Sequence, residues 1–268
     1  MNPDWPRCVA NALEEDVGPG DITTELIVPA DRQARGTFFA KQELIIAGLE
    51  VLELLYADRE VLVSNGQRLS AGAAIAHVRG PARQLLTYER TALNFLQRLS
   101  GVATNARRYV DAVAGTGCRV LDTRKTTPGL RRLEKEAAAA GGVTNHRLGL
   151  YDAVLIKNNH IAAAGGVRPA LERALGHHPV VEIEVRTWEE LNEALAAGAT
   201  RLLLDNLTPA EARRWIQHIA GRASVEISGG VTLDTIREYA ESGANFVSVG
   251  AITHSATAVD LNFRLELL

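Results

Sequence analysis

The sequence predicts an α/β protein whose second part is a (β/α) barrel, and three features carry that reading. From Gly117 onward, short β-branched runs alternate with helical segments roughly every 20–25 residues, as parallel strands joined by right-handed crossovers do. Nearly every run ends on its C-terminal side in a residue able to do chemistry. The first hundred residues lack this regularity. A barrel brings all its strand ends to one mouth, whereas a doubly wound sheet uses only those beside its switch point. The polar strand ends therefore favour the barrel.

In chain order, Pro3-Asp4-Trp5 and VANALEED open a helix, and GPGDITT (18–24) reads as a turn-rich loop. ARGTFFAK (34–41) is strand-like and LEVLELLYA (49–57) helical. Asn65-Gly66 lies between strand-like runs in VLVSNGQRL (61–69), the signal of a hairpin. AAIAHVRGP (73–81) is a strand, followed by a long helical stretch expected to break near Ser100-Gly101. The barrel strands are expected at 118–122, 153–157, 180–185, 201–205, 224–228 and 245–250. Thr187 and Thr208, the latter directly before Pro209, mark helix starts, while Gly176, Gly198 and Gly243 mark helix ends.

Composition excludes several classes of function. The 268 residues are 46% hydrophobic and 23% charged, values of a folded globular chain. Lys plus Arg number 29 against 32 Asp plus Glu, for a net charge of −3, so no global field attracts nucleic acid or anionic lipid. Aromatic residues, at 5%, are too sparse for base-stacking platforms. Cys8 and Cys118 are too few for a disulfide scaffold, and reduced cytosolic thiols are expected. The opening MNPDWPRC lacks the apolar core of a signal peptide, and no apolar run approaches a membrane span, so a soluble cytoplasmic protein is expected.

At the expected mouth, Arg124, Lys125, Arg147 and Lys157 converge, with His146 beside Arg147. Any one of them alone would be read as a solvated surface charge. Together they repel unless a multiply charged anion is present, and guanidinium groups suit carboxylate or phosphate. Glu184 and Asp205 end neighbouring strands; they either settle the charge of these cations or hold sugar hydroxyls, Mg²⁺ or developing positive charge. Glu182 shares a face with Glu184 and is read as a barrel-interior partner for a lysine. Ser228-Gly229-Gly230 and Val249-Gly250-Ala251 end the last two strands, where barrels commonly hold a phosphate. His177-His178 fall at a strand's N-terminal end, away from the mouth.

No HExxH, CxxC, GxGxxG, GxxxxGK[ST] or GxSxG is present, which removes zincin, Rossmann, P-loop and hydrolase-elbow readings. Lys157 as the Schiff-base lysine of an aldolase-type barrel remains an alternative.

YERTALN (88–94), LDTRKTTPGLR (121–131), GGVTNHRLGLYDAVLIKNNHI (141–161), VEIEV (181–185), LLLDN (202–206), EISGGV (226–231) and SVGAITHS (248–255) resemble the quinolinate phosphoribosyltransferase family. The resemblance runs from about residue 10 to the C-terminus, in register and order. It implies an N-terminal α/β sandwich domain, residues 1–101 joined by the tail 256–268, and an open (β/α) barrel-like domain over 102–255. It implies phosphoribosyl transfer from phosphoribosyl pyrophosphate to quinolinate with decarboxylation, in a homodimer or higher homo-oligomer whose sites are shared between subunits. Lys125, Lys157, Glu184 and Asp205 would be catalytic. Thr123, Arg124, Lys125, His146, Arg147 and Lys157 would bind quinolinate's carboxylates and the donor's phosphates. Arg90 would reach into a neighbouring subunit's site. Glu184 and Asp205 would contact the ribose and Mg²⁺ bound mainly through substrate, with the 5′-phosphate at 228–230 and 249–251. Asn158, where the family more often has an acidic residue, and Glu136-Ala137 are departures. A paralogous, molybdenum-transport-associated protein is the neighbouring alternative.

Overall fold

The computed structural model describes residues 2–268. Its elements begin with α1 (Asp4–Val17), α2 (Ile22–Ile27), β1 (Gln33–Ala40), β2 (Leu44–Ile45) and α3 (Glu50–Leu55). Next come β3 (Asp58–Val61), β4 (Arg68–Leu69), β5 (Ala74–Pro81), α4 (Ala82–Ala112), β6 (Arg119–Leu121) and α5 (Arg131–Ala140). The chain continues with β7 (Val154–Ile156), α6 (Asn158–Ala164), α7 (Val167–Ala174), β8 (Val181–Val185), α8 (Trp188–Ala196) and β9 (Arg201–Asp205). It closes with α9 (Pro209–Ile219), β10 (Ser224–Ser228), α10 (Ile236–Ala240), β11 (Phe246–Ser248), α11 (Ala251–His254) and β12 (Leu261–Leu267). No helix among the described residues is long and apolar enough to cross a membrane.

The contacts divide the chain into two compact units. The first comprises residues 1–107, 126–142 and 253–268, the second 108–125 and 143–252. The segment 126–142, which carries α5, thus groups with the N-terminal residues although it lies within the stretch read as barrel.

The first unit holds an antiparallel sheet of order β12-β1-β5-β3 and a small β2–β4 pair. Its core is aromatic: the Phe38 ring lies 4.7 Å from Phe263 and 6.0 Å from Tyr56, and Trp5 on α1 lies 5.8 Å from Phe95 on α4. Two expectations are corrected here. Asn65-Gly66 does not close a hairpin, because β3 pairs with β5 and β4 with β2. The Asn65 side chain instead accepts the Leu49 amide and donates to Glu50, serving the start of α3. Nor does α4 break at Ser100-Gly101; it runs unbroken for 31 residues. Ser100 Oγ accepts the Ala47 amide and donates to the Ala47 carbonyl, so the hydroxyl is used across the fold. Gly101 is required because a Cβ there would collide with the Thr257 carbonyl oxygen. Short α2 and α5 were also unforeseen; Asp21 caps α2 by accepting the Thr24 amide at 3.0 Å.

The second unit is a six-stranded, all-parallel sheet of order β6-β11-β10-β9-β8-β7, with helices between most successive strands. All six expected strands are present. The edges β6 and β7 are not paired to each other, so the ring of strands is open. Residues alternate along each strand. Val181, Ile183, Val185, Leu202, Leu204 and Val225 join Leu171, Leu191, Trp215 and Ile219 of the helices in one buried cluster. Each fully buried aliphatic side chain of this layer contributes roughly 1.5–3 kcal/mol. The alternate positions, Glu182, Glu184, Leu203, Asp205, Glu226 and Ser228, face the interior cavities instead. Thr187 accepts the Glu190 amide, and Thr208 forms a reciprocal capping box with Glu211, as expected at these helix starts.

Gly101→Ala is expected to destabilise the first unit by about 1–3 kcal/mol through forced overpacking. Urea unfolding of the variant and the parent chain measures it; an unchanged midpoint would refute the close approach as the reason for glycine.

Candidate active site

The C-terminal ends of the parallel strands surround a cavity of about 480 Å³. Thr123, Arg124 and Lys125 reach its wall from the loop after β6, His146 and Arg147 from the segment before β7, and Lys157 from the end of β7. Glu184 ends β8 on the same wall, Asp205 ends β9, and Ser228, Gly229 and Gly230 follow β10. Val249, Gly250, Ala251 and Arg90 do not line it. Val249 is buried with its amide donated to the Leu121 carbonyl, and Arg90 stands exposed on α4 in the first unit.

The backbone around the cations is tightly fastened. Asp122, fully buried, accepts the Asn145 side-chain amide at 2.6 Å and the His146 amide at 2.8 Å. Asp152 accepts the amides of Leu148 (2.6 Å) and Gly149 (3.0 Å), closing the turn that follows Arg147. Arg147 Nη1 donates to the Ala153 carbonyl. Burial, and then the neighbouring Arg124 cation, hold the Arg147 guanidinium below its ordinary pKa. Arg124 Nε is shielded from solvent and has no hydrogen-bond partner. Such a cavity is built to receive anionic oxygen: the donors are present, desolvated and mutually repelling.

Glu184 lies opposite Leu203 in the β8–β9 register, two residues before Asp205, and both carboxylates line the same cavity from adjacent strands. Asp205 accepts the Asn206 side-chain amide at 2.8 Å. Asn206 is one of two non-glycine residues with left-handed backbone among the described residues. It presses on Gly229, where a Cβ would clash with Asn206 Oδ1 and come within 2.9 Å of its backbone nitrogen. Only glycine fits there, so the 228–230 loop and the residue after β9 share one packed corner.

Deeper in the barrel, His146 Nε2 lies 3.3 Å from Glu226 and 3.4 Å from Glu182. The expected partner of Glu182 was a lysine; the structure supplies an imidazole, because the loop before β7 folds His146 over the strand face. Burial would lower the His146 pKa, but the two carboxylates outweigh it and push it up to about 9. Glu226 is raised, by burial first and the Glu182 charge second. The Arg147 amide nitrogen lies 2.7 Å from His146 Nδ1, which fixes the ring with Nε2 toward the two carboxylates. Sequence reasoning gave Glu226 no role; its alternation with Val225 and Ile227 was the available signal. Ser248, Leu155, Leu203, Asn158 and Asn206 also line the cavity without having been assigned to the site.

Because folded His146 keeps its proton up to about pH 9, whereas the unfolded chain releases it near 6.5, stability should fall as pH rises from 6.5 to 9. Thermal unfolding midpoints of the parent chain should drop by several degrees across that window. A double Glu182→Gln, Glu226→Gln variant should lose this slope; an undiminished slope would assign it to other groups.

Compared with known proteins, residues 21–100 match the family model described as quinolinate phosphoribosyl transferase, N-terminal domain, and residues 102–264 the corresponding C-terminal domain. A probable nicotinate-nucleotide pyrophosphorylase (carboxylating) of Bacillus subtilis is 40% identical over 262 residues, covering 94% of this chain and 90% of the relative. A mitochondrial quinolinate phosphoribosyltransferase (decarboxylating) 2b of Nicotiana tabacum is 37% identical, covering 95% and 80%. The crystal structure of NadC from Streptococcus pyogenes superposes with a TM-score of 0.94 at 38% identity, covering 100% of this chain and 99% of that one.

Proposed function

This chain belongs to the quinolinate phosphoribosyltransferase family, and we propose that its barrel-mouth cavity transfers phosphoribose from phosphoribosyl pyrophosphate to quinolinate. The products are nicotinate mononucleotide, CO₂ and pyrophosphate, a step of NAD synthesis. The observation that carries the reading is the set of desolvated, repelling cations, Arg124 and Arg147 above all, on the wall that also bears Glu184 and Asp205. Lys157 is exposed at the mouth, not enclosed in the apolar surroundings that activate a Schiff-base lysine.

In this reading Arg124, His146 and Arg147 hold quinolinate's two carboxylates, and Lys125 and Lys157 take the pyrophosphate side. The pyridine nitrogen attacks C1 of the ribose, and the bond from C1 to the pyrophosphate oxygen breaks. Positive charge develops on the sugar, and Glu184 and Asp205 stabilise it across the cavity. The 228–230 loop, on the cavity wall, holds the 5′-phosphate through backbone amides, with the segment after β11 flanking it from outside the cavity lining. The C2–carboxylate bond then breaks toward the ring cation; CO₂ leaves and C2 takes up a proton. Two carboxylates beside a phosphate-binding wall fit Mg²⁺ held mainly through substrate oxygens, with Glu184 and Asp205 its protein-side contacts. Bound there, the ion would neutralise charge on the leaving pyrophosphate.

We further propose a cytoplasmic homodimer in which Arg90 completes the partner's site. Supporting this, α2 exposes Ile22, Leu26 and Ile27 at 73–80%, and α2 is tied to α4 through Thr87 and Asp21, one helical turn before Arg90. An apolar surface and an unburied arginine thus share one face.

Incubation with quinolinate, phosphoribosyl pyrophosphate and Mg²⁺ should release CO₂ and nicotinate mononucleotide; no turnover would refute the assignment. Arg147→Ala should weaken quinolinate binding by about one to two decades, the loss of roughly 1.5–3 kcal/mol from a charge-assisted contact. For the shared site, inactive Arg90→Ala and inactive Lys157→Ala chains are mixed and allowed to exchange. One of the two sites in a mixed dimer then carries neither lesion, so activity should return. Confirmed exchange without recovery would place Arg90 in its own chain's site.

A further inference from the structure

The loop that carries Arg124 and Lys125 is fastened just downstream by an ion pair whose carboxylate is buried and whose guanidinium is partly buried. Glu134 on α5 has no exposed side-chain surface, and its carboxylate lies 2.7 Å from Arg98 Nη2 and 3.0 Å from Nε. The same carboxylate accepts the Thr127 amide at 3.0 Å and the Thr127 hydroxyl at 2.7 Å. Arg98 also reaches the C-terminal segment: Nη1 donates to the Ala256 carbonyl at 2.7 Å and Nη2 to the Thr253 carbonyl at 2.8 Å.

Withdrawing both charges from water costs about as much as their attraction returns, so stability alone does not account for the pair. What the pair holds is more telling. Thr127 is two residues beyond Lys125, and Thr253 is two residues beyond Ala251. Arg131 adds a bond from its Nε to the Thr126 hydroxyl at 3.1 Å. One planar guanidinium and one carboxylate therefore grip the chain directly after each of two strand-end segments, those that follow β6 and β11.

We propose that Arg98 and Glu134 are positioning residues that hold the 123–127 loop and the 249–253 turn in one fixed arrangement, so that cation and 5′-phosphate contacts meet the substrate pair together. The purpose, though not the anchoring, rests on the phosphoribosyl-transfer reading above.

Two conservative variants separate the grips. Thr127→Val deletes the hydroxyl that Glu134 holds, and Arg98→Lys keeps the charge but lacks the fork that reaches Thr253 and Ala256. Hydrogen–deuterium exchange reads the anchoring without ligand. Thr127→Val should quicken exchange at residues 124–127 about tenfold, and Arg98→Lys that at 251–256, with the rest of α4 and α5 unchanged. Benzene-1,2-dicarboxylate and ribose 5-phosphate, titrated calorimetrically, read the purpose. Thr127→Val should weaken the dicarboxylate about tenfold and leave the phosphate unchanged, and Arg98→Lys should weaken the phosphate by a similar factor. Exchange within twofold of the parent in folded variants would overturn the anchoring. Quickened exchange with unaltered affinities would overturn the positioning role. If Arg98→Lys does not fold, Thr127→Val alone decides both points for the loop. A parent chain that binds neither probe would count against the phosphoribosyl-transfer reading, and exchange would still decide the anchoring.

Discussion

Arg124 and Arg147 are held in one cavity against their mutual repulsion, and much of the barrel mouth is built to keep them there. Their side chains cannot retreat into bulk water without giving up backbone that is fastened from below. Asp122 fixes the segment entering Arg147, and Asp152 fixes the segment leaving it. The stored repulsion is relieved only by an anion with oxygens in the right places, so the site is organised for its ligand before the ligand arrives. In a partly desolvated cavity each such contact is stronger than the same contact at the surface.

The barrel interior is unusual in what it replaces. Small barrels generally fill their centre with branched aliphatic layers. Here the outward faces of the strands carry the aliphatic packing, while the inward faces carry Glu182, Glu226 and Ser248 around the His146 ring. A lone carboxylate as buried as Glu226, at 2% exposure, would cost several kcal/mol. The His146 ring, 3.3 Å away and protonated up to about pH 9, offsets much of that cost. The floor of the cavity is thereby packed and polar at once.

Local patterns made much of this legible. Short β-branched runs, four of them with charged residues at their C-terminal ends, located all six parallel strands, and Thr187 and Thr208 announced their helices because capping uses only neighbouring backbone. The quoted motifs named the family, and eleven of the expected site residues line one cavity. What escaped were decisions made by distant groups. Gly101 reads as a helix breaker unless the Thr257 carbonyl is known to pass beside it. Asn65-Gly66 reads as a hairpin unless the Asn65 side chain is seen to be engaged at α3. Glu182 was placed on the correct face by alternation, but its partner comes from a loop whose path no periodicity describes. Arg98 and Glu134 sit in unremarkable helical sequence, and only the folded chain brings them together with Thr127.

The pairing of β1 with β12 sets residue 34 beside residue 267. During synthesis the first unit therefore cannot finish its sheet when its own N-terminal residues emerge; β1 waits with one edge unpaired until the whole parallel sheet has been made. Such an edge is a template for unwanted strand addition, and closing so large a loop is slow. The second unit depends on no segment beyond residue 252, so it can form while that edge is still open. The exposed β1 edge of the unfinished first unit is where a nascent-chain chaperone would have most to protect.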